Sequence, residues 1–415
     1  MGRILFVPNT LAQLRKFKTI IAALPLGTDC NIVIIDRFKN DGTLSEAKSS
    51  ALPYTELLSM EKEAIRALLE EQGAGIVVVG NDQEVVSRAF IDAAREKGIP
   101  SLLVQDGIIC PYNFVLPVTL DFIPTAISIY GPKYLLTTTL PRMLGGKIRK
   151  SDEIYRYGTH AQYCAVWGSY SKRQFAGMGA NPKNLFITGA PAMDAASGRR
   201  KGAREQILGR IGADPKKKTL LFVPSDLLGG RLYTRREYYE TCDALCRAVA
   251  GQTDFQMVIK PHPSFLRREP HYFDRYRGKN IFISNMDAYE ALTCADALVA
   301  EISSMILEAI AFGLPIAVVN MITMPRKEWK SFGAAGKSRN GYPCEPYPRI
   351  YVEKGLAVLI ENKEEAHQKL RSILFDKMLI SKIKQRQPAF IRDQLYRLDG
   401  KSAQRVAGLI LRMKK

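Results

Sequence analysis

Histidine is scarce in this chain. There are four in 415 residues, at positions 160, 262, 271 and 367. The seven cysteines form no CxxC pair and no cluster with histidine, which argues against a zinc site and against a disulfide framework. Cys242 and Cys246 stand four apart and read as core packing on a helix. No GxGxxG follows the first strand-like run, so the dinucleotide fingerprint is absent. No DxD sequence offers a metal site. No apolar run reaches spanning length: the most apolar stretch, residues 115–131, is broken by Pro117, Asp121 and Pro124. No signal-peptide pattern precedes the run ILFVP at residues 4–8, so a cytoplasmic location is expected, with any membrane contact peripheral on the inner face.

Acidic residues are in deficit, 41 against 60 basic ones, for a net charge of +19. Such an excess implies a polyanionic partner: nucleic acid, an anionic membrane surface or phosphorylated substrates. No RNA- or DNA-binding motif is present, and the aromatics are not interleaved with basic residues, so no specific nucleic acid is expected.

The N-terminal half alternates strand and helix signals. ILFVP, NIVIID (31–36), GIVVVGND (75–82) and SLLVQDG (101–107) are short apolar runs, separated by helical spacing in TELLSMEKEAIRALLEEQG and VVSRAFIDAAREKG. Continuous apolar runs between helices indicate a parallel sheet covered on both faces. Residues 111–150 differ, being rich in proline and aromatics, and read as a packed insertion or a place for an acceptor or membrane. Residues 197–218 carry eight basic and two acidic residues and read as a connection plus a solvated helix. The alternation then resumes with TLLFVPSD, FQMVIKPHP, NIFISN, DALVAE and PIAVVN. The expected fold is α/β, with two doubly wound Rossmann-like domains facing across a cleft. The domains would be 1–195 and 219–399, joined by a basic linker at 196–218, with a closing helix (400–415) packing back on the first.

In open α/β sheets, ligands bind past the C-terminal ends of strands. Three places there carry chemistry. Pro261-His262-Pro263 is a rigid turn after a strand, because proline fixes its own φ and restricts the residue before it. Ser303 and Ser304 sit between a strand and the next helix, where free N–H groups and the helix dipole favour an anion. Glu308 lies one turn later on the same face and can accept hydrogen bonds from ribose hydroxyls. In the first half, Asp106 follows a buried strand and precedes Gly107. It can act as a general base toward an acceptor hydroxyl, or simply cap its own turn. Asn81-Asp82 has the same ambiguity and leans to structure, and His160 is an outside candidate for a base.

KPHP followed by DAYEALTCADALVAEISSMILEAIAFGLPIAVVN resembles the C-terminal domain of GT-B-fold transferases of cell-surface polysaccharide synthesis. Within these, the chain resembles CDP-glycerol glycerophosphotransferases and the capsule transferases of CMP-activated keto sugars. AVWGSYSKRQFAGMGANPKNLFITGAP and DGKSAQRVAGLIL are similar to the segments flanking the donor domain. The resemblance implies that His262, Ser303 and Ser304 contact the donor phosphates and that Glu308 stands near the ribose. It further implies that Pro224-Ser225 passes under the nucleotide and that Lys260 adds a cation. The chain departs from the glycerophosphotransferase pattern at Glu301-Ile302, where that family has Asp-Tyr, and it lacks their HGTP-like base motif. LLVQDGII is instead similar to the acidic turn of the keto-sugar enzymes, which makes Asp106 the base.

The leading expectation is a transferase that uses no metal and no cofactor. It moves a sugar or polyol-phosphate group from a CDP-, CMP- or UDP-activated donor to a hydroxyl of a polysaccharide or lipid-linked primer, working at an anionic membrane surface. Asp106 and His262 are its expected catalytic residues. The alternatives are an enzyme like UDP-N-acetylglucosamine 2-epimerase and a non-enzymatic polyanion-binding protein.

Overall fold

A computed structural model describes residues 2–35, 42–82, 84–108, 158–197, 203–224, 235–262, 265–266, 269–301, 303–321, 336–337, 343–344 and 349–414. The chain forms two compact units. One comprises Met1–Asp194 and Arg392–Lys415 with residues 338–343; the other holds the rest.

The first unit contains β1 (Arg3–Val7), α1 (Leu11–Ala22), β2 (Cys30–Ile34), α2 (Thr43–Ser49), β3 (Tyr54–Glu56), α3 (Lys62–Glu71), β4 (Ala74–Val79), α4 (Val85–Glu96), β5 (Ser101–Val104), β6 (Tyr163–Val166), α5 (Ser169–Gly177) and β7 (Leu185–Ile187). The second contains α6 (Ala203–Arg210), β8 (Lys218–Val223), α7 (Arg235–Val249), β9 (Phe255–Ile259), β10 (Ile281–Ile283), α8 (Ala288–Cys294), β11 (Ala297–Ala300), α9 (Met305–Ala311), β12 (Ile316–Val319), β13 (Val358–Ile360) and α10 (Lys363–Phe375). Then come α11 (Lys377–Leu395) and α12 (Ser402–Met413).

Both sheets are parallel. The first runs in the order β3-β2-β1-β4-β5-β6-β7 and the second β10-β9-β8-β11-β12-β13. Each order reverses once, between β1 and β4 and between β8 and β11. Those reversals are the topological switch points at which doubly wound sheets open a crevice for ligands. Apart from the exposed edge strand β3, the strands are largely apolar because both faces are covered. One face of the first sheet packs Leu5, Val77, Leu103 and Val166 under α3, α4 and α5. The other packs Ile4, Phe6 and Val78 under α1 and α12. In the second unit, Leu220, Phe222, Met257 and Val299 meet Tyr238, Cys242 and Cys246 of α7 and Leu370 and Ile373 of α10. Burial pushes both thiols upward, as expected of inert core cysteines.

Two sequence expectations differ from the structure. The helical spacing at 55–73 forms a helix only from Lys62; Tyr54–Glu56 is instead an edge strand paired with Ile32–Ile34. Thr55, a β-branched residue, receives a hydrogen bond from Asn31 Nδ2 at 2.8 Å, and Leu57 N–H donates to Ile34. The basic stretch 197–218 reads as a connection plus a solvated helix; the helix forms but is not solvated all round. Its helix α6 belongs to the second unit and buries Ile207 and Leu208. Arg204 pairs with Asp296 at 2.9 Å, donates to Lys217 O at 3.1 Å and also reaches Cys294 O. A charge run that reads as solvent-facing thus includes an arginine whose two terminal nitrogens are both engaged.

The closing helix α12 is held in the first unit by Asp194. Its carboxylate accepts from the N–H groups of Ser402 (3.0 Å) and Ala403 (2.8 Å), acting as a helix cap from over 200 residues away. Asp194→Ala is expected to cost about 0.5–2 kcal/mol. Urea unfolding followed by circular dichroism would read this as a lower midpoint, and an unchanged midpoint would mean the cap contributes nothing.

Candidate functional site

In the second unit, β9 ends at Ile259 and delivers Lys260, Pro261 and His262 to the C-terminal edge of the sheet. Lys260 N–H still donates to Phe222 O of β8, so its backbone position is fixed by the ladder. Pro261 is buried and His262 is exposed. His262 O accepts from Leu266 N–H at 3.1 Å, which starts a helical turn anchored by Phe265. Phe265 is wholly buried among Tyr238, Tyr272 and Phe273, with ring centroids 5.5–5.8 Å away. The histidine is therefore exposed, and Phe265 three residues on is anchored in the core. Pro263 lies outside the described residues.

Residues following β11 sit at the switch point. Ser303 is half-buried and its Oγ accepts from Met305 N–H at 3.2 Å. Ser304 is the N-cap of α9; it is exposed and makes no side-chain capping bond. The helix it opens has only seven residues, so its dipole is weak. Any anion there would depend on side chains more than on the helix.

Glu308 of α9 feels the charge of Lys260. Its Oε2 is shut off from solvent and has no hydrogen-bond partner. Burial raises its pKa to about 7, with the Lys260 charge pulling the other way. Lys260 is half-buried, and burial lowers its pKa while Asp287 and Glu308 oppose the shift. Asp287 caps α8 through the N–H groups of Tyr289 (2.7 Å) and Glu290 (3.0 Å). Nothing in the sequence pattern links it to Lys260. Glu301, at the end of β11, is fully buried and faces Tyr238 and Cys242, so it belongs to the core beneath this edge. The structure thus places Lys260 and Glu308 within reach of each other's charge, with His262 after β9 and the two serines after β11, on either side of β8. Ser225 lies outside the described residues, as does the segment 111–150.

In the first unit, Asp106 is held from two sides by α1. Gln13 Nε2 donates to its Oδ2 at 2.9 Å and Lys16 Nζ to its Oδ1 at 3.0 Å. Lys16 is buried; its ammonium also donates to Val104 O (3.1 Å) and Gln105 O (3.2 Å). These three acceptors match the three protons of an ammonium. Burial lowers the Lys16 pKa, with Asp106 as the opposing influence. Gln13 is wedged against Gly80, where an added Cβ would lie 2.4 Å from its side chain, and it accepts from Asn9 N–H at 2.9 Å. The Asp106 side chain keeps 29% exposure, enough to meet a ligand.

Sequence reasoning missed Gln13 and Lys16. Positions 13, 16, 17 and 20 share one helix face, so two polar residues on the buried stripe of Phe17 and Ile20 are the available signal.

Asp82 proves structural. It is fully buried and accepts from the N–H groups of Gly158 (2.9 Å), His160 (3.0 Å) and Ala161 (3.4 Å). His160 lines a cavity of about 560 Å³ with Ser101, Gln162 and Leu185, the residues at or just before the starts of β5, β6 and β7. Asp106 follows the opposite end of β5, so the two do not share a strand end. Among the described residues, no cluster of three His, Cys, Asp or Glu could hold a metal ion.

No protein-family model matches the chain, and no curated protein matches it in sequence. Solved structures do match in fold. UDP-GlcNAc 2-epimerase from Neisseria meningitidis, bound to UDP-GlcNAc, superposes with a TM-score of 0.62 at 13% identity, covering 99% of this chain and 100% of that one. The S. aureus MnaA–UDP co-structure gives 0.60 at 15%, covering 99% and 96%. The wall teichoic acid polymerase TagF gives 0.61 at 12%, covering 99% and 88%. The chain therefore has the GT-B-like fold of two Rossmann domains, and the likeness extends to both kinds of enzyme equally.

Two outcomes follow from the buried charges. Glu308 holds its proton more tightly when folded than at its ordinary 4.5. Its stabilising contribution is complete below that value and is lost as pH rises through about 7. Relative to wild type, Glu308→Gln should gain up to about 3 kcal/mol between about pH 5 and about pH 8, as measured by urea melts at the two pH values. Asp106→Asn removes the counter-charge from a buried ammonium and should cost about 1–3 kcal/mol. A melt equal to wild type would show that Lys16 is neutral or solvated.

Proposed function

We propose that the protein is a transferase acting on a nucleotide-activated donor. It moves a sugar or polyol-phosphate group to a hydroxyl of a cell-surface polysaccharide or lipid-linked primer. The observation that carries this reading is the covered, unpartnered Oε2 of Glu308 beside Lys260. Leaving it without a donor costs about 1–3 kcal/mol. Glu237 and Glu301 each have one covered oxygen that accepts no hydrogen bond too, and what sets Glu308 apart is its place on the helix that follows the switch-point strand β11. A ribose hydroxyl would supply the missing donor.

Lys260 and His262 then meet the donor phosphates from the end of β9. Ser303, Ser304 and Ser225 meet them from the loops at the switch point. Asp106, already oriented by Gln13 and Lys16, accepts the proton of the acceptor hydroxyl. The acceptor oxygen forms the new bond while the donor's bond to the nucleotide breaks. The electron pair leaves on the nucleotide phosphate, where the fixed cations stabilise it. This reading uses no metal. Work on a lipid-linked acceptor would place the protein on the inner face of the membrane, and the charge of +19 supports an anionic surface there.

One observation favours a second reading. Buried Lys16 against Asp106 is a dense acid/base pair, of the kind an epimerase needs to remove and return a proton on a nucleotide sugar.

Thermal stabilisation by CMP, CDP, UMP and UDP tests both. A nucleotide at a hundred times its Kd should add about 2.7 kcal/mol. Selective stabilisation by cytidine nucleotides supports transfer of a polyol-phosphate or keto sugar. Selective stabilisation by uridine nucleotides, with conversion of UDP-GlcNAc to its C2 epimer, supports the second reading. No stabilisation by any of the four removes the nucleotide site. For the transferase, His262→Ala should abolish transfer with the fold intact, and Asp106→Asn should lower turnover with little change in nucleotide affinity.

A further inference from the structure

The stretch Lys377–Ile391 of α11 contains four basic residues and no acidic one. Its inner face is set by Ile383, Gln387 and Phe390, all buried. Gln387 Nε2 donates to Leu314 O at 2.8 Å, and Phe390 packs edge-on against Tyr351 at 5.6 Å. The opposite face is consequently fixed by helical geometry. Its centre is an uncharged strip: Met378, Ser381, Gln385 and Ala389, all exposed. Met378 is 71% exposed, the most exposed large apolar side chain of the second unit among the described residues.

The basic residues border this strip. Lys377 and Lys384 are seven apart and fall on one side; Lys382 and Arg386 are four apart and fall on the other. None forms an ion pair with a described residue. The neighbouring helix behaves differently. On α10, Lys369 pairs with Glu365 at 2.8 Å and Arg371 with Asp254 at 2.7 Å. Arg386 is laid over Gly355, where a side chain would collide with its guanidinium. Four unpaired cations within about 14 Å of helix repel one another, and an anionic surface would relieve that repulsion. Long basic stems flanking a flat uncharged strip suit a plane of headgroups, into which Met378 can dip while the lysines stay at the charged level. Nucleic acid would call for a stacking platform, and this face has no aromatic residue.

We propose that the outer face of α11 is a docking surface for an anionic lipid bilayer, with the helix lying in the plane of the membrane. The inference goes beyond the donor chemistry and does not depend on it.

Cosedimentation of the full chain with vesicles tests it in the absence of any nucleotide, so its failure leaves the donor reading untouched. Vesicles of phosphatidylcholine would be compared with vesicles containing phosphatidylglycerol at one ionic strength. Binding is expected to the anionic vesicles alone. Each lysine near such a surface raises partitioning about fivefold. The double variant Lys377→Glu with Lys384→Glu should therefore bind at least about tenfold more weakly, and Met378→Glu should also weaken binding. Lys183→Glu with Lys216→Glu, exposed and of equal net charge, should bind like wild type. The proposal is overturned if wild type ignores the anionic vesicles, or if the α11 variants bind as wild type does. It is equally overturned if the control pair loses as much, or if the α11 variants lose affinity for RNA while keeping it for vesicles.

Discussion

A parallel strand covered on both faces has no room for charge along its length, and this constraint organises both units. Apart from the edge strand β3, the strands here are largely apolar, and most of the groups with a candidate role lie just past a strand end. Asp106 follows β5, Lys260 and His262 follow β9, and the serines follow β11. The groups are then fixed by what the strands cannot supply. Asp106 depends on Gln13 and Lys16 reaching in from α1. His262 stands three residues before Phe265, which is anchored in the core. Glu308 is carried on a short helix within reach of the Lys260 charge. The candidate groups are carried by helices and loops, and each sheet sets the strand ends at which its own groups stand.

The two candidate clusters illustrate opposite electrostatic solutions. Lys16 is buried but fully hydrogen-bonded, with a carboxylate and two carbonyls for its three protons, so the charge can remain. Glu308 is covered with one oxygen unserved, so the proton is drawn to it instead. A satisfied ion pair is stable in the empty protein. An unsatisfied carboxyl is a standing cost that a ligand can remove. That difference is why the second cluster weighs more heavily as a binding site and the first as a prepared reactive group.

The fold was legible because runs such as GIVVVG and ALVA can be nothing but buried strands when they alternate with helices. The strand end before His262 was legible because the apolar run stops at Lys260. What was not legible depends on contacts far apart in sequence. Lys16 meets a carboxylate 90 residues away, and Asp287 influences Lys260 through space. The strand at Tyr54–Glu56 was hidden because its pattern also fits a helix, and the partner strand decided the matter. The engagement of Arg204 was hidden for the same reason: composition reports charge, while the acceptors around Arg204 come from residues 217 to 296.

The cap on α12 bears on how the molecule is made. The first unit draws its last helix from beyond Arg392, after the whole second unit has intervened. During synthesis, the apolar side of α1 and the strands beneath it must wait for about 200 further residues. At roughly 5–20 residues per second, that interval is on the order of tens of seconds. Throughout it, Ile4, Phe6, Leu14 and Phe17 lack the cover later given by Val406, Leu409 and Ile410. The nascent N-terminal unit is thus exposed to chaperones and to misassociation for a period set by translation. Its completion is coupled to the arrival of the chain's end and not to its own local folding.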